Sequence, residues 1–508
     1  MRITNKIIQN NAMSNININK QLEDKYNTQM STGAKISRPS DDPVIAIRAL
    51  RLRTNLSQVT QYYEKNVPDA TSWLKVTEAS ISTTVDVLTE MNKQCVKGSV
   101  GYDTAQDRQK ILESLQALRD EIYSTGDADY AGRYVFTGYR TDLSLSFATD
   151  AKKAPSYKIT EQLSRANVED ITYVDVADLD KVTTSDIGTT MESQVSQNTI
   201  HRIRLAYDNC DETAPVINYS GGSIAPQVMS INGTDDPYME ITKGTAEAIF
   251  IPETGEILLN DASYAALQAT IDDVATQDVD EGEIAITYEK SKFVAGDLRP
   301  EHFYYCETTD KDGTVKKYNE EFLDPLNVNA QIINYDVGYN QTVRVNTLAK
   351  EVYTLDMGRD VDELVTSIQN VIDMEAKISD LKALLKRSDS TTDPTATQVQ
   401  ERLDAANKAG DMLKDKMQKD FEKGITKTQA YIDRANVALT ATGNRQARVD
   451  LVANRLSAQQ TSFKELTSDN EDADITEVAI NLSSVELSYQ AALMATGKIA
   501  QTTLLNYL

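Results

Sequence analysis

The chain has 508 residues, 40% hydrophobic and 25% charged, enough to bury a sizeable core in more than one domain. A formal net charge of −25 opposes a nucleic-acid or phosphate surface, and no apolar run approaches the length of a membrane span, so neither nucleic acid nor membrane is an expected partner. Cys95, Cys210 and Cys306 are scattered, His201 and His302 lie far apart, and nothing has metal-ligand spacing; each cysteine is expected reduced, buried and structural, with no cofactor, metal or catalytic residue.

The opening Met1-Arg-Ile-Thr-Asn-Lys-Ile-Ile lacks an apolar signal core and a small-residue cleavage site. Residues 1–36 are rich in Asn, Gln, Ser and Thr and carry a thin apolar row at Ile8, Ala12, Ile16, Leu22, Tyr26 and Met30. Such a row fits a helix too polar to stand alone, and the pattern leaves open whether it is an arm awaiting a partner or a frayed end.

The next stretch is a joint. Gly33 and Pro39 punctuate a bend, and Asp42 followed by Pro43 has the form of an N-cap and first helical residue. Ser40 and Asp41 are expected to keep the first turn acidic, matching the positive end of the helix dipole. From there Ile45, Ala49, Leu52, Leu56, Val59, Tyr63, Asn66, Ala70 and Trp73 step by four and three as a heptad seam. Pro68 lies inside it and is expected to kink or split the helix. The seam continues at Leu74, Ile81, Val85, Leu88 and Cys95, and a third helix carries Ile111, Leu115, Leu118 and Ile122. Gly132-Arg-Tyr-Val-Phe-Thr-Gly-Tyr139 is expected to be a strand entering a turn.

Residues 143–345 change character. Short apolar runs such as Ile171-Thr-Tyr-Val-Asp-Val, Glu283-Ile-Ala-Ile-Thr-Tyr and Thr342-Val-Arg-Val alternate with Gly, Asp, Asn and Pro, which predicts a β-rich domain or two. Asp310-Lys-Asp-Gly313 lacks the key carboxylates of a calcium loop and fits a hairpin turn better. His302 has no second histidine near it in sequence and is expected to be a satisfied loop residue.

Helices return after Asn346. Leu364, Ile368, Val371, Ile378, Leu381 and Leu385 make one segment, closed by the polar loop before Pro394. A longer one carries Val399, Leu403, Ala406, Gly410, Leu413, Met417, Phe421, Ile425, Thr428, Ile432, Ala435 and Leu439. The step from Met417 to Phe421 is a stutter, and Val449, Val452, Leu456, Phe463 and Leu466 extend the row, with only local glycines to interrupt it. A last helix opens at Asp474, with Glu477 in capping-box order and a seam at Ile475, Val478, Leu482, Val485, Tyr489, Leu493 and Ile499. The fold class expected is α+β: a long helical coiled-coil core built from both chain ends, which pack on each other, with a β-rich middle inserted.

Arg38-Pro-Ser-Asp-Asp-Pro43 resembles the flagellin superfamily, and more closely those members that join hook to filament, since flagellins usually lack the flanking prolines. The resemblance runs on through Lys65-Asn-Val-Pro-Asp-Ala-Thr-Ser-Trp-Leu74, Gly132–Thr141, Tyr335-Asp-Val-Gly338, Val345-Asn-Thr-Leu348, Glu471-Asp-Ala-Asp474, Tyr489–Leu493 and Leu504-Leu-Asn-Tyr-Leu508. It implies a non-enzymatic structural protein, exported unfolded through the flagellar type III channel with a chaperone, lying outside the cell as a homo-oligomeric ring or tube between a neighbouring hook-associated protein and flagellin, and templating filament growth. It also implies an N-terminal arm (1–36) disordered in the monomer, helical rod halves at 37–142 and 346–467, an outer domain at 143–345 and a polymerisation helix at 468–508. Arg38, Pro39, Ser40, Asp41, Asp42 and Pro43 would form the assembly joint, Ile8, Ala12, Ile16 and Leu22 an N-terminal assembly seam, and Ile475 through Ile499 the C-terminal one. A filament-forming flagellin is the alternative of the same class; an adhesin or enzyme carried by the middle is that of another.

Overall fold

The computed structural model describes residues 5–100, 104–176, 195–233, 235–269, 284–309, 314–323, 331–387 and 394–505. Helices α1 (Asn5–Thr32), α2 (Pro43–Gln61), α3 (Val67–Gly98) and α4 (Ala105–Ser124) come first, then the small hairpin β1 (Asp129–Tyr130) and β2 (Arg133–Tyr134). There follow β3 (Tyr157–Leu163), β4 (Val168–Asp175), β5 (Ser196–Arg204), β6 (Val216–Tyr219), β7 (Gly222–Ile224), β8 (Gln227–Val228), α5 (Pro237–Thr242), β9 (Ala248–Ile251) and β10 (Glu256–Leu259). Next are α6 (Asp261–Gln268), β11 (Ile284–Lys290), β12 (Tyr305–Thr309), β13 (Val315–Tyr318) and the hairpin β14 (Asn334–Gly338) and β15 (Gln341–Arg344). The chain closes with α7 (Ala349–Val352), α8 (Asp356–Arg387), α9 (Pro394–Glu471) and α10 (Ile475–Leu505). The α+β class and the helical ends are as the periodicity implies.

Contacts divide the chain into a terminal unit, Met1–Thr71, Tyr335–Val343 and Ala447–Leu508, and a middle unit, Ser72–Asn334 and Arg344–Gln446. In the middle unit the seam residues Trp73, Leu74, Ile81, Leu88 and Cys95 of α3 are buried, as are Leu364, Ile368 and Val371 of α8 and Leu413, Met417 and Phe421 of α9. Glycines let these helices approach closely: a Cβ on Gly98 would stand 2.5 Å from the Phe421 ring, one on Gly410 would meet Ile378 at 3.1 Å, and one on Gly424 would meet Leu364 at 3.2 Å and the Cys95 sulfur at 3.4 Å. Asn92 Nδ2 adds donations to Ile425 O (3.1 Å) and Thr428 Oγ1 (2.7 Å) across the same contact.

The middle unit also holds two sheets, a five-stranded one ordered β4-β5-β10-β9-β8 and a six-stranded one ordered β13-β12-β3-β11-β6-β7. Their pairings are antiparallel except β8 with β9. β12 and β13 form the hairpin expected there, while its turn, Asp310–Gly313, lies outside the described residues, as does the loop Ser388–Asp393.

Three expectations change. The helix is not split at Pro68: a π turn over Tyr62–Asn66 joins α2 to α3, with Val67 N–H bonding back to Tyr62 O. Proline donates no N–H and its ring crowds the carbonyl four residues earlier, so a wider turn just upstream gives the ring room. Glycines do not interrupt α9, which runs 78 residues through Gly410, Gly424 and Gly443 and ends at Glu471, leaving Leu466 exposed rather than on a seam. Gly132–Tyr139 is strand only at Arg133–Tyr134; Ala131 (φ 53°) and Gly132 (φ 76°) make the turn before it, and Val135 and Phe136 enter the core.

Candidate assembly site

The terminal unit is where both chain ends meet. α1 packs along α10. Ile8, Ala12, Ile16, Leu22 and Tyr26 are half-buried, and so are Leu482, Val485 and Tyr489, while Val478 is buried. Ile475 and Leu493 are exposed, and the side chain of Ile499 lies outside the described residues. A second apolar row on α10 faces outward: Ile480, Leu487 and Met494, seven residues apart, are 64%, 70% and 67% exposed. Val44, Ile47 and Leu50 are likewise exposed on α2.

Residues 33–43 form a built corner. Gly33, at φ +69°, turns the chain out of α1, its N–H bonded to Gln29 O at 2.8 Å, and Gln29 Nε2 donates to Lys35 O at 2.5 Å. Asp41 Oδ2 accepts from Arg38 N (2.9 Å), Ser37 N (3.1 Å) and Ser37 Oγ (3.1 Å). The Arg38 N–H in particular holds this carboxyl below its ordinary range. Asp41 therefore closes the bend, where an acidic first turn of α2 was expected of it. Asp42, in extended conformation (φ −149°, ψ 103°), is the N-cap: its Oδ1 accepts from Val44 N at 2.9 Å and Ile45 N at 3.2 Å, with Pro43 opening the helix. Arg38, Pro39 and Ser40 are exposed, and Arg38 enters the corner through its backbone.

A second break, between α9 and α10, lies against the first. Ala34 and Asp472 form an antiparallel bridge, Lys35 N donates to Glu471 O at 2.7 Å, and Ala473 N to Gly33 O at 2.7 Å. Lys35 Nζ caps Asp469 O, and Arg53 forks onto the Glu471 carboxylate, Nε to Oε1 at 2.8 Å and Nη2 to Oε2. Asn470 Nδ2 donates to Ile45 O at 3.1 Å. Asp474 Oδ1 then caps α10, accepting from Thr476 N at 2.9 Å and Glu477 N at 3.3 Å. The joint is thus double, and the half contributed by 469–473 does not follow from residues 31–50. A further clamp holds the π turn: Asn66 Nδ2 donates to Asp336 O at 2.8 Å and Tyr335 OH to Asp69 Oδ2 at 2.6 Å, tying the β14 hairpin to α3.

Two helix-region models match the ends of the chain, the bacterial flagellin N-terminal helical region over residues 3–141 and the bacterial flagellin C-terminal helical region over residues 425–508. Both ends of the terminal unit fall inside them.

The two ends of the chain are flagellin helical regions.

Among its relatives are flagellar hook-associated protein 3 of Salmonella typhimurium, 29% identical over 168 residues (33% of this chain, 53% of that protein), and that of Escherichia coli, 30% identical over 143 residues (28% and 45%). The flagellin of Bacillus subtilis is 27% identical over 180 residues (34% of this chain, 57% of that protein). The chain spans about half the length of these curated relatives.

The cysteines and histidines of the chain sit in packed surroundings. Cys95, Cys210 and Cys306 are buried free thiols, and burial pushes the first two up to about 12 and the third upward too. Burial also pushes His302 down to about 3, while its Nε2 lies 3.1 Å from Ser144 O. His201 stacks on Tyr264 with centroids 3.7 Å apart, its Nδ1 2.7 Å from Asp170 Oδ1.

Proposed function

We propose that this chain is a structural protein of the bacterial flagellum that forms the junction between hook and filament and templates filament growth. The observation that carries the reading is the terminal unit. It joins both chain ends at a double, capped corner and leaves the row Ile480, Leu487 and Met494 facing outward. A helix that presents apolar residues every seventh position to solvent is completed by another helix. The proline-flanked joint and the hook-associated relatives support the junction; the flagellin relative supports a filament former as the second reading.

On this reading the subunit is exported unfolded with a chaperone and works outside the cell in a ring or tube of its own copies, between a hook-associated protein and flagellin. Residues 1–36 and 468–508 order against neighbouring subunits, and 143–345 project outward from the rod halves 37–142 and 346–467. α1 is rich in Asn and Gln, which supports folding coupled to assembly, because so polar a helix gains little from closing on itself.

The test is complementation of a strain lacking this gene, viewed by electron microscopy. Full-length protein is expected to restore filaments, and a chain lacking 475–508 is expected to leave bare hooks while remaining folded and soluble. Filaments grown on the truncated chain would refute the assembly role. Self-seeded filaments from purified full-length protein would replace the junction by the filament former.

A further inference from the structure

The five-stranded sheet changes character along one face. Side chains alternate along a strand, so Ile200, Arg202 and Arg204 of β5 share a face with Leu258 and Glu256 of β10 and with Ile171 and Glu169 of β4, their register partners. At one end this face is apolar: Ile200, Ile249, Ile251 and Leu258 pack under Ile241 of α5. At the other end it meets α8 and α9 through charge.

Arg202 Nη1 bonds Glu256 Oε1 at 2.7 Å, and its Nη2 reaches Glu169 Oε2 at 2.8 Å and Glu363 Oε1 at 3.1 Å. Arg204 binds three carboxylates of α8, Asp360 at 2.5 Å and Asp356 and Glu363 at 3.1 Å each. Lys427 of α9 bridges Asp360 (3.0 Å) and Glu169 (3.1 Å), and Tyr431 OH donates to Asp360 Oδ2 at 2.6 Å. Lys423 Nζ caps Asp170 O of β4 at 3.2 Å. Both arginine side chains are over nine-tenths buried. Beside the network a cleft of about 930 Å³ already separates β4 from the helices, with Ile171, Thr172 and Tyr173 on one wall and Thr366, Asn370 and Lys423 on the other.

We propose that this network is a release latch, and that the β4–β5 edge of the sheet has a second position in which Arg202 and Arg204 leave α8 and the cleft widens. An apolar contact exposes hydrocarbon when it parts, at a cost proportional to the area uncovered. Here the parting surfaces are guanidinium, ammonium and carboxylate groups, which water solvates as soon as it enters, so the desolvation suffered on docking is recovered on opening. The apolar end under α5 stays closed and acts as the fixed side. The latch lies outside the terminal assembly unit and does not depend on the hook-junction reading.

The test uses the full chain with spin labels at Thr172→Cys on β4 and Thr366→Cys on α8, so that their separation follows the movement of the strand against the helix; the native cysteines are buried and leave the engineered pair as the labelling sites. Adding Asp360→Asn and Glu363→Gln is expected to bring in a longer-distance population and to speed amide exchange in β4 and β5 by about tenfold or more, with β3, β11 and α3 unchanged. Replacing charge by apolar groups, Arg202→Met with Glu363→Leu, is expected to hold the single short distance. An unchanged distance in the amide variant, a long-distance population in the apolar variant, or exchange that accelerates equally in both sheets and α3 overturns the proposal.

Discussion

In the middle unit Trp73, Ile81, Ile203, Ile257 and Phe421 are at most 1% exposed, whereas in the terminal unit Leu487 and Met494 stand 70% and 67% exposed and the α1 row is half-buried. Both units are written in apolar heptads or alternations. They differ in how many faces of each element are covered. α3 is enclosed by other elements of its own unit, while α1 and α10 have mainly each other. Two helices side by side cover one stripe apiece, so any further apolar stripe is left facing solvent. The middle unit therefore buries its apolar faces within one chain, and the terminal unit leaves part of its apolar surface in water.

The sharpest way to break this comparison is Trp73→Ala. Trp73 is enclosed, packs edge-on to Tyr130 at 6.3 Å and lies under the Arg133 guanidinium at 5.1 Å, so denaturant unfolding should lose about 3–5 kcal/mol. A loss below about 1 kcal/mol would show that the middle core is no tighter than the ends.

Glu161 tests the same core by pH. It accepts bonds from Ala206 N at 2.9 Å and from Tyr288 OH, and burial raises its carboxyl from 4.5 to about 7. The folded state thus holds a proton that the unfolded state releases near 4.5. The stability linked to this group is full below about 4.5 and is lost as pH rises through about 7. Glu161→Gln keeps the accepting oxygen and removes the titration. It should flatten the melting temperature between pH 5 and pH 8 and gain on the order of 1–3 kcal/mol at pH 8.

At the joint, Asp42→Ala should cost about 1 kcal/mol of monomer stability, the ordinary value of a lost N-cap. Replacing Asp42 and Pro43 together by alanine should reduce incorporation at the hook tip more than it reduces stability; equal incorporation of mutant and wild type would detach the joint from assembly. The smallest effect on unfolding belongs to the outward row. Changing Ile480, Leu487 and Met494 to serine should move stability by less than about 0.5 kcal/mol, because they are already in water, and yet abolish incorporation in the microscopy assay.

Much of the helical scaffold was legible because its cause is local. Seams at Leu74–Cys95 and Leu403–Phe421 are periodic over many turns, and Asp42-Pro43 carries cap chemistry in two adjacent residues. The place of Asp41 is not legible locally, because its three donors lie upstream in a turn and a dipole argument weighs charge without regard to which N–H groups are free. Pro68 announces only the bond it removes; the π turn that accommodates it depends on backbone adjustment upstream. Strands such as β4, β11 and β15 stood out by alternation, but their order did not, since β10 lies between β5 and β9 and β3 between β12 and β11.

The amino-acid sequence by itself determined the helical ends, the β-rich insert and the capped corner, because periodicity, capping and turn chemistry act over a few residues. Only the tertiary structure decided that the corner is double, with Gly33–Lys35 zipped to Glu471–Ala473, and that a sheet meets its helices through Arg202 and Arg204. Such pairings join residues far apart in the chain, and neither partner's local pattern carries any mark of the other.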